Sequence, residues 1–239
     1  MRDVVLVHGG WGGAWCWTSV VAHLHRARPG SRVFTPTLAG LGERAHEPPE
    51  DITMGTHIDD LVRLLDDHDL RDAVLLGHSY GGLPITGAAN RRPERVGDLV
   101  YLDALVPEHG QSCADVLGPG FVAAAAAAMT RANTPHSIPW LFTPDDLLGP
   151  GSPLAGEVAE RMTAHPAGTL HDPVDADRIR ARRHYVYCTG SASLGLTGGF
   201  AAAARDSAAW RYSELDAPHD APHACPDQVA QVVARISSR

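Results

Sequence analysis

Ala73-Val74-Leu75-Leu76-Gly77-His78-Ser79-Tyr80-Gly81-Gly82 is the stretch on which the reading of this chain turns. Four apolar residues in a row form a buried strand, and the segment after Gly82 reads as a helix. Ser79 therefore falls where a strand turns sharply into a helix. A turn that tight leaves no room for side chains beside the serine, so Gly77 and Gly81 flank it and Gly82 clears the start of the helix. A serine at such a tip presents its hydroxyl outward, which makes Ser79 a candidate nucleophile. The competing explanation, a glycine-rich turn with an incidental serine, does not account for the strand and helix on either side.

A second motif stands where the first needs it. Val4-Val5-Leu6-Val7 reads as a short buried strand that runs through His8-Gly9-Gly10-Trp11-Gly12-Gly13 into Ala14-Trp15-Cys16-Trp17. Acyl transfer needs two donors aimed at a developing oxyanion, and the amides of Gly10 and Tyr80 are the candidates. The glycines do not have the G-x-G-x-x-G spacing of a dinucleotide fold. Phe34-Thr35-Pro36 also stands where that fold would place an acidic ribose ligand.

A nucleophilic serine needs a base, and elbow-bearing folds order nucleophile, acid and histidine along the chain. Arg211 to Leu215 reads as a last strand, followed by Asp216-Ala217-Pro218-His219-Asp220-Ala221-Pro222-His223 and a final helix from Asp227 to Ile236. His219 is the candidate base and His223 the runner-up. The pair is not a zinc site: there is no HExxH helix, and prolines on both sides forbid the helical spacing.

The rest of the chain alternates strand and helix: strand 4–7, helix 14–27, strand 32–35, helix 54–68, strand 73–76, helix 80–91 and strand 97–103. Such alternation predicts an α/β fold with a mostly parallel sheet flanked by helices. From Pro107 the pattern breaks into a loop, an alanine-rich helix from Phe121 to Arg131, and proline-rich stretches, until His184 to Cys188 restores it. Residues 1–106 and 181–239 thus form the core, and 107–180 an inserted helical cap over the C-terminal ends of the strands, where open sheets bind ligands. Phe121, Trp140, Leu141, Phe142 and Met162 of the cap are candidates to line an acyl or aromatic pocket, the alternative for each being to pack the cap on the sheet. Trp11, Trp140 and Phe142 are the candidate substrate-binding residues.

Composition sets bounds on partners. The chain has 239 residues, 44% of them hydrophobic, enough for one sizeable core, and a formal charge of −8 that disfavours nucleic acid and anionic membrane surfaces. The first strand starts too close to Met1 for a signal peptide, and no apolar run reaches membrane-span length, so a cytoplasmic location is expected. Cys16, Cys113, Cys188 and Cys225 have no CxxC spacing and are read as reduced thiols. The expected partner is a small-molecule substrate, with a homodimer left open.

HGGWGGAWCW, GLGER, GHSYGG and VYLDALVPEHGQS, with MTAHPAGTLHDPV and RRHYVYCT in and after the cap, resemble the α/β-hydrolase fold family. The likeness is to its methylesterase and hydroxynitrile-lyase branch, especially bacterial relatives in secondary-metabolite pathways. The resemblance implies a cap inserted after the sixth strand of the fold, Ser79 as nucleophile, His219 as base, Gly10 and Tyr80 as oxyanion donors, and neither metal nor organic cofactor. The implied activity is a serine hydrolase acting on an ester, lactone or thioester of an apolar, aromatic or polyketide-like metabolite. One departure stands out. Such relatives carry the triad aspartate shortly after the strand His184 to Cys188, where this chain has Thr189-Gly190-Ser191-Ala192-Ser193-Leu194-Gly195. Ser191 or Ser193 would hold an imidazolium only weakly. Asp103 is the best-placed substitute, its alternative role being a buried structural carboxylate at the entry to the cap. The missing acid also keeps open a lyase or cyclase on the same fold, or a ligand-binding protein with a decayed site.

Overall fold

The computed structural model describes residues 2–238. β1 (Val4–Val7), α1 (Thr18–Ala27), β2 (Val33–Phe34), α2 (Met54–Asp67), β3 (Ala73–His78), α3 (Gly82–Arg91) and β4 (Val96–Leu102) alternate as the sequence predicts. After β4 come α4 (Cys113–Ala132), β5 (Ser137–Ile138), α5 (Pro144–Leu148), α6 (Ala155–Arg161) and β6 (His165–Pro166). The chain then returns through β7 (Arg182–Cys188), α7 (Gly198–Arg205), β8 (Trp210–Leu215), α8 (Ala221–Ala224) and α9 (Pro226–Ser237). The elements from α4 to β6 lie between β4 and β7, the fourth and fifth strands of the six-stranded sheet.

Six strands form one parallel sheet in the order β2-β1-β3-β4-β7-β8. Every residue of β1 and β3 is buried, as a parallel sheet covered on both faces requires. Alternate residues serve opposite faces. Val5, Val7 and Leu75 join the core beneath α2 and α3, whereas Val4, Leu6, Val74 and Leu76 join the core beneath α1 and α9. β1 pairs with β2 on one side, and the chain then crosses over to place β3 on the other. That reversal opens a crevice beyond the carboxyl ends of β1 and β3, where His8–Gly13 and Ser79 emerge.

Local outcomes differ from the sequence reading at several points. Ser79–Gly81 make one tight turn before α3, so that helix starts at Gly82. The alanine-rich helix starts earlier, at Cys113, because Ser112 and Asp115 cap its first turn reciprocally, with Ser112 Oγ accepting from Asp115 N at 3.2 Å and Asp115 Oδ2 accepting from Ser112 N at 2.9 Å. By length and hydropathy α4 could cross a membrane, contrary to the expectation that no segment would. It is broken at Gly118 (φ 79°, ψ 171°), and the run from Pro119 to Ala132 reaches only about 21 Å, short of a ~30 Å hydrocarbon layer.

Candidate active site

Backbone sterics build the Ser79 turn. A Cβ on Gly77 would lie 2.4 Å from Gly81 O, one on Gly81 2.7 Å from His8 O, and one on Gly82 2.1 Å from Leu105 O. Glycine is the residue that fits at each. Ser79 itself stands at φ 53°, a left-handed conformation that costs a serine on the order of 1–2 kcal/mol. Among the described residues six non-glycines have positive φ, and Trp11, Ser79 and Asp103 among them meet at this one site, so the strain is concentrated there.

Ser79, His219 and Asp103 form one hydrogen-bonded chain. Asp103 Oδ2 accepts from His219 Nδ1 at 2.6 Å, which leaves Nε2 to accept the Ser79 hydroxyl at 3.0 Å. Burial pushes the fully enclosed Asp103 carboxyl up, but the hydrogen bond from His219, with further help from Thr197, outweighs it and holds the group below its ordinary pKa. Thr197 Oγ1 donates to Asp103 Oδ1 at 2.9 Å, and Cys188 N approaches the same oxygen at 3.4 Å. His78 Nε2 donates to the His219 carbonyl at 2.8 Å and its ring lies 4.8 Å from the His219 ring. Burial, aided by His219, pushes His78 down to about 4, so it acts as a neutral brace.

The glycine turn after β1 is bolted down by His8. Its Nδ1 donates to Gly9 O at 2.8 Å, and its Nε2 accepts from Leu38 N at 3.1 Å. A Cβ on Gly9 would lie 3.0 Å from Ser79 Cβ, and one on Gly10 3.8 Å from Tyr80 Cβ, so the turn closes directly over the elbow. The Tyr80 side chain points away into the core, its hydroxyl 2.8 Å from His57 Nδ1. His57 Nε2 donates to Ala39 O at 2.8 Å, so Nδ1 accepts from Tyr80.

Above the three linked residues opens a mostly apolar pocket. Gly10, Trp11, Ser79, Tyr80 and His219 form its floor, and the segment after β4 supplies Leu117, Phe121, Ile138, Phe142, Met162 and His165. Trp11 and Phe142 meet edge to face with centroids 6.1 Å apart. Trp140, a sequence candidate, is not in this wall. It is 40% exposed, because Ile138 takes the inward position of β5 and hands its carbonyl to Trp11 Nε1 at 3.0 Å, while Trp140 beyond Pro139 faces out. Leu141 packs on the core instead. His223 is also set aside: its Nδ1 lies 2.9 Å from both oxygens of Asp220, and its ring packs on Trp15. Ser191 donates to Cys188 O at 2.7 Å, and Ser193 is exposed. His57, His78, His165 and Thr197 went unread in the sequence, since a lone histidine or threonine has no local signature.

A profile of the alpha/beta hydrolase family matches residues 4–232. The chain belongs to that family. It is 50% identical over 112 residues to a carbendazim hydrolyzing esterase of Nocardioides, covering 47% of this chain and 46% of that one. Methylesterase 1 of Arabidopsis thaliana is 36% identical over 118 residues, covering 48% of this chain and 44% of the plant protein. The chain thus spans about half the length of the curated relatives it matches. Among solved structures, an extracellular alpha/beta-hydrolase from a Paenibacillus species superposes over 100% of both chains with TM-score 0.82 at 22% identity. A pyrethroid hydrolase superposes over 99% of this alpha/beta hydrolase chain and 97% of its own, with TM-score 0.75 at 20% identity. Both likenesses are of fold. Among the described residues no His, Cys, Asp and Glu cluster is arranged to hold a metal ion.

Proposed function

We propose that this protein is a serine esterase acting on small esters of apolar or aromatic acids. The carrying observation is the unbroken chain from Ser79 Oγ through His219 to the buried Asp103 carboxylate, at the floor of an apolar pocket. Ser79 Oγ attacks the ester carbonyl carbon as its proton passes to His219 Nε2. The Gly10 and Tyr80 amides receive the resulting oxyanion. The carbon–alkoxy bond then breaks, His219 returns the proton to the leaving alcohol, and an acyl group remains on Ser79. Water attacks that acyl-enzyme with His219 again as base, and the acid and free serine are regenerated. Asp103 stays ionised throughout and holds the imidazole in the required tautomer.

The names of the esterase and methylesterase relatives favour the same reaction class. Thioesters and lactones of similar shape are open to the same chemistry, including those of polyketide-like metabolites. The lyase, cyclase and decayed-site alternatives drew on a missing triad acid, and the Asp103 carboxylate 2.6 Å from His219 supports a complete site over a decayed one. A fluorophosphonate probe tests the reading. We expect covalent labelling at Ser79 and a loss of ester turnover on the order of a thousandfold or more in Ser79→Ala, with folding intact. Unlabelled protein, or full turnover by the variant, would remove the nucleophile.

A further inference from the structure

At the pocket wall one lone pair has no partner. His165 opens β6 and is 4% exposed. Its Nε2 lies 2.9 Å from Thr169 Oγ1, and that hydroxyl donates to Pro166 O at 2.8 Å. A hydroxyl has a single proton, so Thr169 accepts from His165 and Nε2 carries the ring hydrogen. Nδ1 of the neutral ring is then an acceptor, and it is left without a hydrogen-bond partner. Burial above all, with His57 and His8 nearby, holds this imidazole well below its ordinary pKa and so keeps it neutral.

The ring is held in place. Tyr80 packs on it edge to face at 4.5 Å, with Trp11 and His57 each at 6.1 Å. A Cβ on Gly10 would lie 3.7 Å from Nδ1, so the lone pair sits on the Gly10 side of the pocket, next to the seat proposed for the carbonyl oxygen. Of the other buried side-chain nitrogens without partners, those of Arg2 and Trp17 lie outside the pocket wall, and Trp15 Nε1 is packed against the Gly13 backbone. A buried acceptor left unpaired costs about 1–3 kcal/mol, and a ligand that brings a donor recovers that cost.

We propose that His165 Nδ1 is a substrate-recognition acceptor, selecting esters whose acyl part carries a hydroxyl or N–H beside the carbonyl carbon. This selection rests on the esterase reading above and names its substrate class. With the carbonyl oxygen on Gly10 and Tyr80, the neighbouring donor points at Nδ1 and fixes the acyl group about its bond to the carbonyl. A methyl group in the same place leaves the acceptor buried and unpaired, so it is rejected. The contact forms on binding and involves no proton transfer, which makes His165 a specificity residue.

Methyl mandelate and methyl 2-phenylpropanoate differ by a hydroxyl for a methyl of similar size, and both enantiomers of each provide the test. Two ratios are read: kcat/KM in the unmodified protein, and Kd by calorimetry in Ser79→Ala, which does not depend on turnover. We expect both to favour one enantiomer of the hydroxy ester by about ten- to a hundredfold. His165→Gln keeps a donor for Thr169 but loses the acceptor, and the ratio falls to about one. His165→Asn sets an amide oxygen near the place of Nδ1 and keeps a several-fold preference. Equal binding and equal kcat/KM for the two esters, or a ratio unmoved in His165→Gln, overturns the proposal. A hydroxy preference in Kd with no turnover of either ester overturns the esterase reading and leaves the acceptor site standing. Turnover of both esters at equal rates does the reverse, and neither binding nor turnover overturns both.

Discussion

Asp103 stands at φ 43°, in the left-handed region that aspartate and asparagine enter more readily than most residues. Its amide donates to Val186 O at 2.8 Å, so β7 fixes the backbone from which the carboxylate reaches His219. Asp103→Asn keeps the size and the backbone preference but offers an amide hydrogen to Nδ1 and favours the wrong tautomer. The expected loss in kcat is roughly a thousand- to ten-thousandfold, with a thermal melt within a few degrees of the parent. A few-fold loss would mean that Ser79 and His219 work as a pair. His219→Ala should abolish turnover, whereas His223→Ala, which breaks a contact with Asp220, should only weaken it. If steady-state rates came out in the opposite order, the base would lie four residues further along.

Elements act here through the elbow and the segment between β4 and β7. The Leu105 carbonyl leaves Gly82 no room for a Cβ, so Gly82→Ala forces α3 away from the loop after β4. We expect a destabilisation of about 3 kcal/mol or more in denaturant melts, with activity lost alongside it. A melt superimposable on the parent would mean that the elbow has slack. Between β4 and β7, Phe142 faces Trp11 across the pocket and Trp140 faces solvent. Phe142→Ala should therefore raise KM for bulky aromatic esters more than for a minimal acetate ester. Trp140→Ala should leave the ratio between the two esters unchanged. Equal losses on both esters in Phe142→Ala would assign that ring to packing alone.

At the scale of the whole molecule, the site and its surroundings enclose histidines that remain neutral. Burial pushes His8, His57 and His78 down to about 4, and His165 well below its ordinary value. In the unfolded chain each takes up a proton near pH 6.5. Between these values the unfolded state binds more protons, so stability is full above about pH 6.5 and falls as pH drops toward 4. Chemical denaturation across that window should show a slope approaching ~5 kcal/mol per pH unit, about 1.4 for each of the four rings. A flat profile down to pH 4.5 would mean that these rings are charged or exposed. At the opposite end of β4, the buried Asp98 accepts from Arg2, from Arg182 at 2.9 and 2.6 Å and from His184 at 2.6 Å. Asp98→Ala strands these donors and should cost about 3–5 kcal/mol of stability.

The elbow, the glycine turn and the loop that brings His219 to Ser79 were legible in the sequence, as was the alternation that builds a parallel sheet. Each depends on near neighbours along the chain: a glycine spacing, a run of buried residues, a loop after the last strand. Asp103 could be put forward but not placed, because its partner lies 116 positions away. Only the order of β4, β7 and β8 across the sheet brings their carboxyl ends together. The outward turn of Trp140 depends on which residue of β5 faces the pocket, and hydrophobicity alone puts tryptophan and isoleucine on the same side. The neutral histidines and the free lone pair of His165 are further still from local reading. Where a proton sits is decided by partners such as Thr169, Pro166, Ala39 and the His219 carbonyl, and burial, which sets the cost of charge, exists only once the chain has folded around them.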